Sequence, residues 1–297
     1  MNHSIYLKDL GIYKKNNIFY YHLGDKRVTD ISRLTKFHVP PAWTSVWYAS
    51  NKKCHIQVHG IDQSGKKQYI LSETWVNNAK YTKYIRMKSF MKDLVNFKKK
   101  IKLTNCDITY ENVTHLLFNL LIDTHIRVGN EKYVSQNETY GLTTLRQKHF
   151  INNTFTFIGK SGIRHSIKIP EIYLPFLKKL NILEKNKPLF WYQGNKTINS
   201  EELNEYLKKC MGKDYTCKDF RTYSANVIFI KAFLKNSKNT LSIKKIILKS
   251  IDDSAKELGH SRCISRKSYI SNNLLDYCMD SFETACKESP SLLLSKV

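Results

Sequence analysis

The chain has 297 residues, 41% of them apolar, which is enough for one large domain or two modest ones with true cores. Its 49 Lys and Arg against 25 Asp and Glu leave a formal charge of +24; the basic residues spread over the whole chain, which favours nucleic acid over a membrane surface as the anionic partner. Apolar runs such as 227–230 and 292–294 are too short to cross a bilayer, and the charged N-terminal stretch lacks the apolar segment of a secretion signal.

Up to about residue 76, short segments rich in Val, Ile, Thr and aromatics (43–48, 54–58, 68–71) are separated by Pro40-Pro41, Gly60 and Ser64-Gly65, which predicts a small antiparallel sheet. Between 76 and 84 the alternation fails in a polar, basic stretch holding Asn77, Asn78, Lys80 and Lys83, and helical spacing follows. The boundary is expected there: a β-rich domain over 1–76 and a mainly helical one over 77–297, an α+β chain. From Glu111, Val113, Leu116, Leu117, Leu120 and Leu121 recur at three- and four-residue steps, predicting a core helix that ends at Gly129 with Arg127 in its last turn. Segments 153–158 and 164–169 alternate around Gly159-Lys160-Ser161-Gly162, a hairpin with Lys160 at its turn. Further helices are expected from Ser200, with Glu201 and Glu202 in the first turn, to near Gly212, and over 217–234, 241–258 and 271–286.

Seven cysteines, Cys54, Cys106, Cys210, Cys217, Cys263, Cys278 and Cys286, form an odd set with no CxxC pair and read as reduced thiols of a soluble, intracellular protein. No phosphate-binding GxxxxGK[ST] loop, HExxH or paired Cys/His spacing occurs, so ATP-driven and metal-dependent chemistry are both disfavoured, and no cofactor is expected. Phosphodiester transfer without a metal needs cations for the transition-state oxygens, a nucleophile that can hold a covalent link, and an acid for the leaving 5′ hydroxyl. Candidates for those parts stand in the chain: Arg127, Lys160, Arg221 in Lys218-Asp-Phe-Arg221-Thr-Tyr223, His260 after Leu258-Gly259, and Tyr269 nine residues later.

Taken singly, each has an ordinary reading. Arg127 could complement a helix dipole, Lys160 sit solvated in a turn, Arg221 snorkel from a core helix, His260 follow a helix cap, and Tyr269 simply pack. Their joint occurrence in one order is what points to chemistry.

In that order and at similar spacing, Ile126-Arg127-Val-Gly129 with Asn137-Glu-Thr-Tyr-Gly-Leu-Thr-Thr-Leu145, Phe157-Ile-Gly-Lys160, Lys218-Asp-Phe-Arg221-Thr-Tyr223 and Leu258-Gly-His260 with Tyr269 resemble the small poxvirus-type topoisomerases IB over about residues 110–272. The N-terminal part is similar in outline, through Gly65-Lys-Lys-Gln68-Tyr69 and Asn78-Ala79-Lys80. The resemblance implies that Tyr269 attacks the scissile phosphorus and holds the 3′ phosphate, that Arg127 and Arg221 clamp its nonbridging oxygens, that His260 donates to one of them, and that Lys160 protonates the departing 5′ oxygen. It also implies DNA contacts by Gln68, Tyr69 and Lys80 in the N-terminal part and by Lys132, Tyr133 and Lys218 beyond it, in a monomer that clamps double-stranded DNA. A viral source would place it in the virion and in the host cytoplasm or nucleus. Leu71 stands where these enzymes carry a second aromatic and the segment around Lys80 is shorter than usual, so sequence preference is not carried over.

Two alternatives stay open at this point. A tyrosine recombinase uses the same Arg, Lys, Arg, His and Tyr logic, although such enzymes usually carry HxxR where this chain has Lys218-Asp-Phe-Arg221, and their N-terminal clamp is helical. A noncatalytic basic DNA-binding protein accounts for the charge and leaves the ordered five residues unexplained.

Overall fold

Alternating apolar and polar side chains in the first quarter of the chain form β1 (Ile12–Lys15), β2 (Ile18–Tyr21), β3 (Thr44–Tyr48), β4 (Ile56–Ile61) and β5 (Lys67–Leu71). They pair antiparallel in the order β2-β1-β3-β4-β5. Asn16 and Asn17 make the tight turn between β1 and β2 with φ of 48° and 63°, a backbone that asparagine tolerates and that matches the twist of the flanking strands. One face of the sheet buries Ile12, Phe19, Tyr48 and Val58 together with Val28 and Leu34. The computed structural model describes residues 10–297, so the first part of the stretch read above for a secretion signal lies outside the described residues.

The first helix, α1 (Glu73–Lys100), corrects one expectation: the polar stretch at 76–84 is helical and not a break. Ser72 caps its start, accepting from the Trp75 amide at 3.2 Å, whereas the buried stripe of Met87, Phe90, Leu94 and Phe97 begins only in the second half. The opening turns therefore lack the apolar spacing by which a helix is recognised. The chain divides into two compact units after Lys83, inside this helix.

The second unit continues with α2 (Tyr110–Thr124), α3 (Glu131–Asn137), the strands β6 (Phe150–Ile151), β7 (Thr154–Ile158) and β8 (Arg164–Lys168), α4 (Leu174–Leu180), and the short ribbon β9 (Trp191–Tyr192) and β10 (Lys196–Thr197). It closes with α5 (Ser200–Met211), α6 (Cys217–Asn236), α7 (Ile243–Leu258), α8 (Arg262–Ser268), α9 (Asn272–Asp280), α10 (Phe282–Lys287) and α11 (Pro290–Leu294). A small antiparallel β region followed by a mainly helical one is the α+β arrangement expected from the sequence. Among the described residues no helix is long and apolar enough to cross a membrane, and all seven cysteines are free.

The core of this unit forms around α6, whose Phe220, Phe229, Ile230 and Phe233 are buried; Phe220 lies 5.1 Å from Phe90 and 6.0 Å from Phe118, ring centre to ring centre. Offset and edge contacts of this kind add to the area the rings bury. Two helix ends differ from expectation. The core helix α2 stops at Thr124, because His125 turns left-handed (φ 56°), so Arg127 lies in the loop beyond it and not in its last turn. The span 271–286 is two helices, parted at Ser281 (φ −119°, ψ 42°).

Candidate active site

Arg221 projects from the second turn of α6, where Asp219 fixes the start of the helix by accepting from the Thr216 amide at 2.8 Å and from Arg86 at 2.7 Å. The Arg221 side chain is buried, and its two Nη groups donate to the carbonyls of His125 and Leu258, the latter at 2.6 Å. Those carbonyls end α2 and α7, so two helix C-termini, each carrying partial negative charge and unpaired acceptors, converge on one guanidinium. Burial, with the neighbouring charge of Arg127, lowers its pKa to about 10, and it stays a cation at neutral pH.

α7 ends at Gly259, left-handed at φ 62°, and the next residue is His260. Its imidazole stacks on the Tyr269 ring, centroids 4.8 Å apart and planes 10° from parallel, while the Arg221 guanidinium lies 5.9 Å from the same ring. Both ring nitrogens of His260 are buried, and no side chain pairs with either. Burial, then the charge of Arg221, pulls its pKa down to about 4, so the ring is neutral at pH 7 with one N–H to donate.

Between His260 and Tyr269 lies α8, capped by Ser261 Oγ accepting from the Ile264 amide at 3.3 Å. Tyr269 terminates it, and the backbone that follows is held at three successive residues. Asn226 of α6, wholly buried, donates to the Tyr269 carbonyl at 3.0 Å and accepts from the Ser271 amide at 2.9 Å; Tyr84 of α1 donates to the Ile270 carbonyl at 2.8 Å. Sequence reading missed both residues. Asn226 falls one turn beyond Arg221 on the same helix and would be visible only to a search that kept i, i+4 and i+5 polar neighbours of a candidate.

The loop that carries Arg127 is tied to the residues that follow α3. Arg127 O accepts from the Leu142 amide at 2.7 Å, and Val128 O accepts from both the amide and the hydroxyl of Thr143, at 2.7 and 2.8 Å. Gly129 and Gly141 touch backbone to backbone: a Cβ on Gly141 would stand 2.5 Å from Gly129 Cα and 2.6 Å from Arg127 O. The glycines in the two motifs quoted for this region are thereby explained. Arg127 also bears electrostatically on Arg221, His260 and His165, which groups it with them.

Lys160 stands exposed at the turn between β7 and β8, where Gly159 N donates to Ile163 O at 2.8 Å; the strand end just before that turn is joined to the segment after α3 by Tyr140 N donating to Ile158 O at 2.8 Å. The structure thus brings Arg221, His260 and Tyr269 together, sets Arg127 near enough to bear electrostatically on Arg221 and His260, and leaves Lys160 exposed on the hairpin turn.

Of the expected DNA-facing residues, Lys132 and Tyr133 are exposed on α3 and Lys218 on the first turn of α6. In the first unit Lys80 is half-buried on α1, and β5 sends Gln68 and Tyr69 to opposite faces, as strand alternation requires. Tyr69 is 50% exposed, whereas Gln68 donates to Asp62 at 2.7 Å on the other face. Tyr69 ends a row, Trp47, His59, Tyr69, that pairs across β3, β4 and β5, with Trp47 and His59 stacked at 5.0 Å and Lys67 Nζ 5.9 Å from the Tyr69 ring. Trp47, His59 and Lys67 were not singled out from the sequence, because the row exists only once the strands are in register.

A small sheet of antiparallel strands stands ahead of a mainly helical unit that gathers arginine, histidine and tyrosine, and comparison with known proteins supplies the class. Residues 72–289 match the family model of the eukaryotic DNA topoisomerase I catalytic core, and residues 19–62 that of the bacterial DNA topoisomerase IB N-terminal domain. The chain is 36% identical over 292 residues to DNA topoisomerase 1B of Acanthamoeba polyphaga mimivirus, covering 90% of this chain and 87% of that protein. It is 30% identical to DNA topoisomerase 1 of Rabbit fibroma virus (strain Kasza), over 73% of this chain and 70% of that one, and 29% identical to DNA topoisomerase 1B of Vaccinia virus (strain Copenhagen), over 74% and 72%. The chain belongs to the type IB DNA topoisomerase family, an isomerase acting on DNA, which sets aside the recombinase and noncatalytic readings.

Proposed function

We propose that the enzyme relaxes supercoiled DNA by transient cleavage of one strand through a 3′-phosphotyrosine at Tyr269, without ATP and without a metal ion. The observation that carries this reading is the contact of Tyr269 with a buried, always-charged Arg221 and with a His260 whose buried ring nitrogens no side chain pairs. A buried imidazole that no side chain pairs is uncommon, and here it adjoins a nucleophile where a phosphoryl oxygen would accept from its one N–H.

In this reading Tyr269 Oη forms a bond to the scissile phosphorus as the bond to the 5′ oxygen breaks. The phenol proton passes to solvent water and Lys160 gives one to the 5′ oxygen, so the exchange of one phosphodiester for another is balanced in atoms and nearly so in energy. Arg127 and Arg221 neutralise the nonbridging oxygens, and a neutral His260 donates one further hydrogen bond. Because the phosphotyrosine keeps the energy of the broken bond, the 5′ hydroxyl reseals the strand after rotation with no nucleotide consumed.

The protein acts as a monomer on one duplex, with Lys132, Tyr133 and Lys218 on phosphates and with the Tyr69 face of the sheet and Lys80 as further DNA contacts; Gln68, held by Asp62 on the opposite face, is left out of that set. The viral relatives support a virus-encoded enzyme working in the virion and in the host cytoplasm or nucleus. Relaxation of positively and of negatively supercoiled plasmid in EDTA without ATP tests the whole reading. Both should relax to completion, and a strict requirement for magnesium or ATP would overturn it.

A further inference from the structure

His165 belongs to no part of the machinery described so far, yet its ring lies where three pieces of that machinery meet. It pairs across the hairpin with Phe157 and stacks on that ring, centroids 5.0 Å apart and planes 19° from parallel. One edge of the imidazole faces Gly159, the residue before Lys160: a Cβ there would fall 2.7 Å from Cδ2 and from Nε2. The opposite edge faces Gly259, the residue before His260, where a Cβ would fall 2.5 Å from Cε1.

The backbone at Gly159 (φ −97°, ψ −169°) is one that any residue adopts, so its lack of a side chain is not a conformational need. Its closest neighbour is the His165 ring, and the next, Ile163 O, is 3.6 Å away. At Gly259 the left-handed cap favours glycine by itself, and the ring contact adds a second reason. We propose that His165 is a positioning residue that latches the turn carrying Lys160 onto the helix cap presenting His260, so that the acid and the phosphate-binding groups are brought to one place together. Burial, with the charges of Arg127 and Arg221, holds the ring below the ordinary histidine pKa, so that it adds no third positive charge beside them at neutral pH.

The inference rests on the reading of Lys160 as the general acid, and the test separates the two. Single-turnover cleavage is measured on duplexes whose leaving atom is 5′ oxygen or 5′ sulfur, for the wild type, Lys160→Ala, His165→Ala, His165→Phe and Gly159→Ala. A thiolate leaves without a proton, so a variant defective only in delivering the acid regains its rate with sulfur. His165→Ala and Gly159→Ala should cut the oxygen substrate at least ~10-fold more slowly and the sulfur substrate at nearly the wild-type rate, whereas His165→Phe, which keeps a ring in the same space, should stay within about threefold of wild type on both. Sulfur rescue of Lys160→Ala without rescue of His165→Ala and Gly159→Ala would overturn the latch and leave the acid assignment standing. An unrescued Lys160→Ala would overturn the acid assignment, and the latch with it.

Discussion

Gly141→Ala isolates what the backbone around Arg127 contributes. Gly141 sits at φ −140° and ψ −176°, a backbone that alanine adopts freely, so the substitution adds only a methyl group. That methyl would lie 2.5 Å from both Cα and N of Gly129 and 2.6 Å from the Arg127 carbonyl, about 1 Å inside the ~3.5 Å of ordinary carbon contact. All three neighbours are backbone atoms of the Arg127 loop, so relief must come from displacing that loop. Overpacking of this kind costs about 1–3 kcal/mol of stability, and a shift near 1 Å in a phosphate-binding group costs on the order of 100-fold in rate. The expected result is a single-turnover cleavage rate down by about 100-fold, with the unfolding free energy from urea titration lowered by no more than ~3 kcal/mol and DNA binding retained. Gly194→Ala is the control: its φ of +73° makes alanine strained by ~1–2 kcal/mol, but nothing lies within 4 Å, and cleavage should be unchanged. A Gly141→Ala enzyme that cleaves at the wild-type rate would refute the claim that this contact places Arg127.

Asn226→Ala removes the hydrogen bonds that Asn226 makes to the Tyr269 carbonyl and the Ser271 amide; each such buried loss costs about 1–3 kcal/mol, and cleavage should fall at least ~10-fold, whereas unchanged stability and rate would remove Asn226 from the nucleophile's support. His125, His149 and His260 all have folded-state pKa values lowered from 6.5 to about 4, chiefly by burial. The unfolded chain therefore binds more protons between those values, so their contribution is complete above about pH 6.5 and is lost as pH falls toward 4, at up to ~1.4 kcal/mol per pH unit for each histidine. Urea midpoints at pH 7.5, 6 and 5 should fall in that order, and a flat or rising series would contradict the burial argument. With a formal charge of +24, DNA affinity should drop linearly in log–log form as salt rises, and a flat dependence would argue against phosphate contacts as the main source of binding.

Features that depend on near neighbours were legible in the sequence. The stripe from Val113 to Leu121 announced α2, Glu201 and Glu202 marked the first turn of α5, and the hairpin around Lys160 followed from alternation on either side of two glycines. The candidate catalytic residues stand out in the sequence as a set through their order and spacing, and the structure brings Arg221, His260 and Tyr269 together. Features that depend on long-range contact were not. The end of α2 is set by His125, whose carbonyl is taken by Arg221 from 96 residues away, and no local pattern announces that. The first turns of α1 carry Asn77, Lys80 and Lys83 where an apolar stripe would have marked them, and Asn226, Tyr84 and His165 acquire a purpose only through partners brought in by the fold.

The nature of the covalent link tests the central claim most directly. A duplex whose cleaved 5′ fragment diffuses away traps the enzyme on DNA; protease digestion and mass spectrometry then locate the attached nucleotide, in EDTA and without ATP. The account requires a 3′-phosphoryl adduct on Tyr269, and a Tyr269→Phe protein that binds the same duplex with unchanged affinity and forms no adduct. An adduct on another residue, a link to a 5′ phosphate, or continued adduct formation by Tyr269→Phe would contradict it.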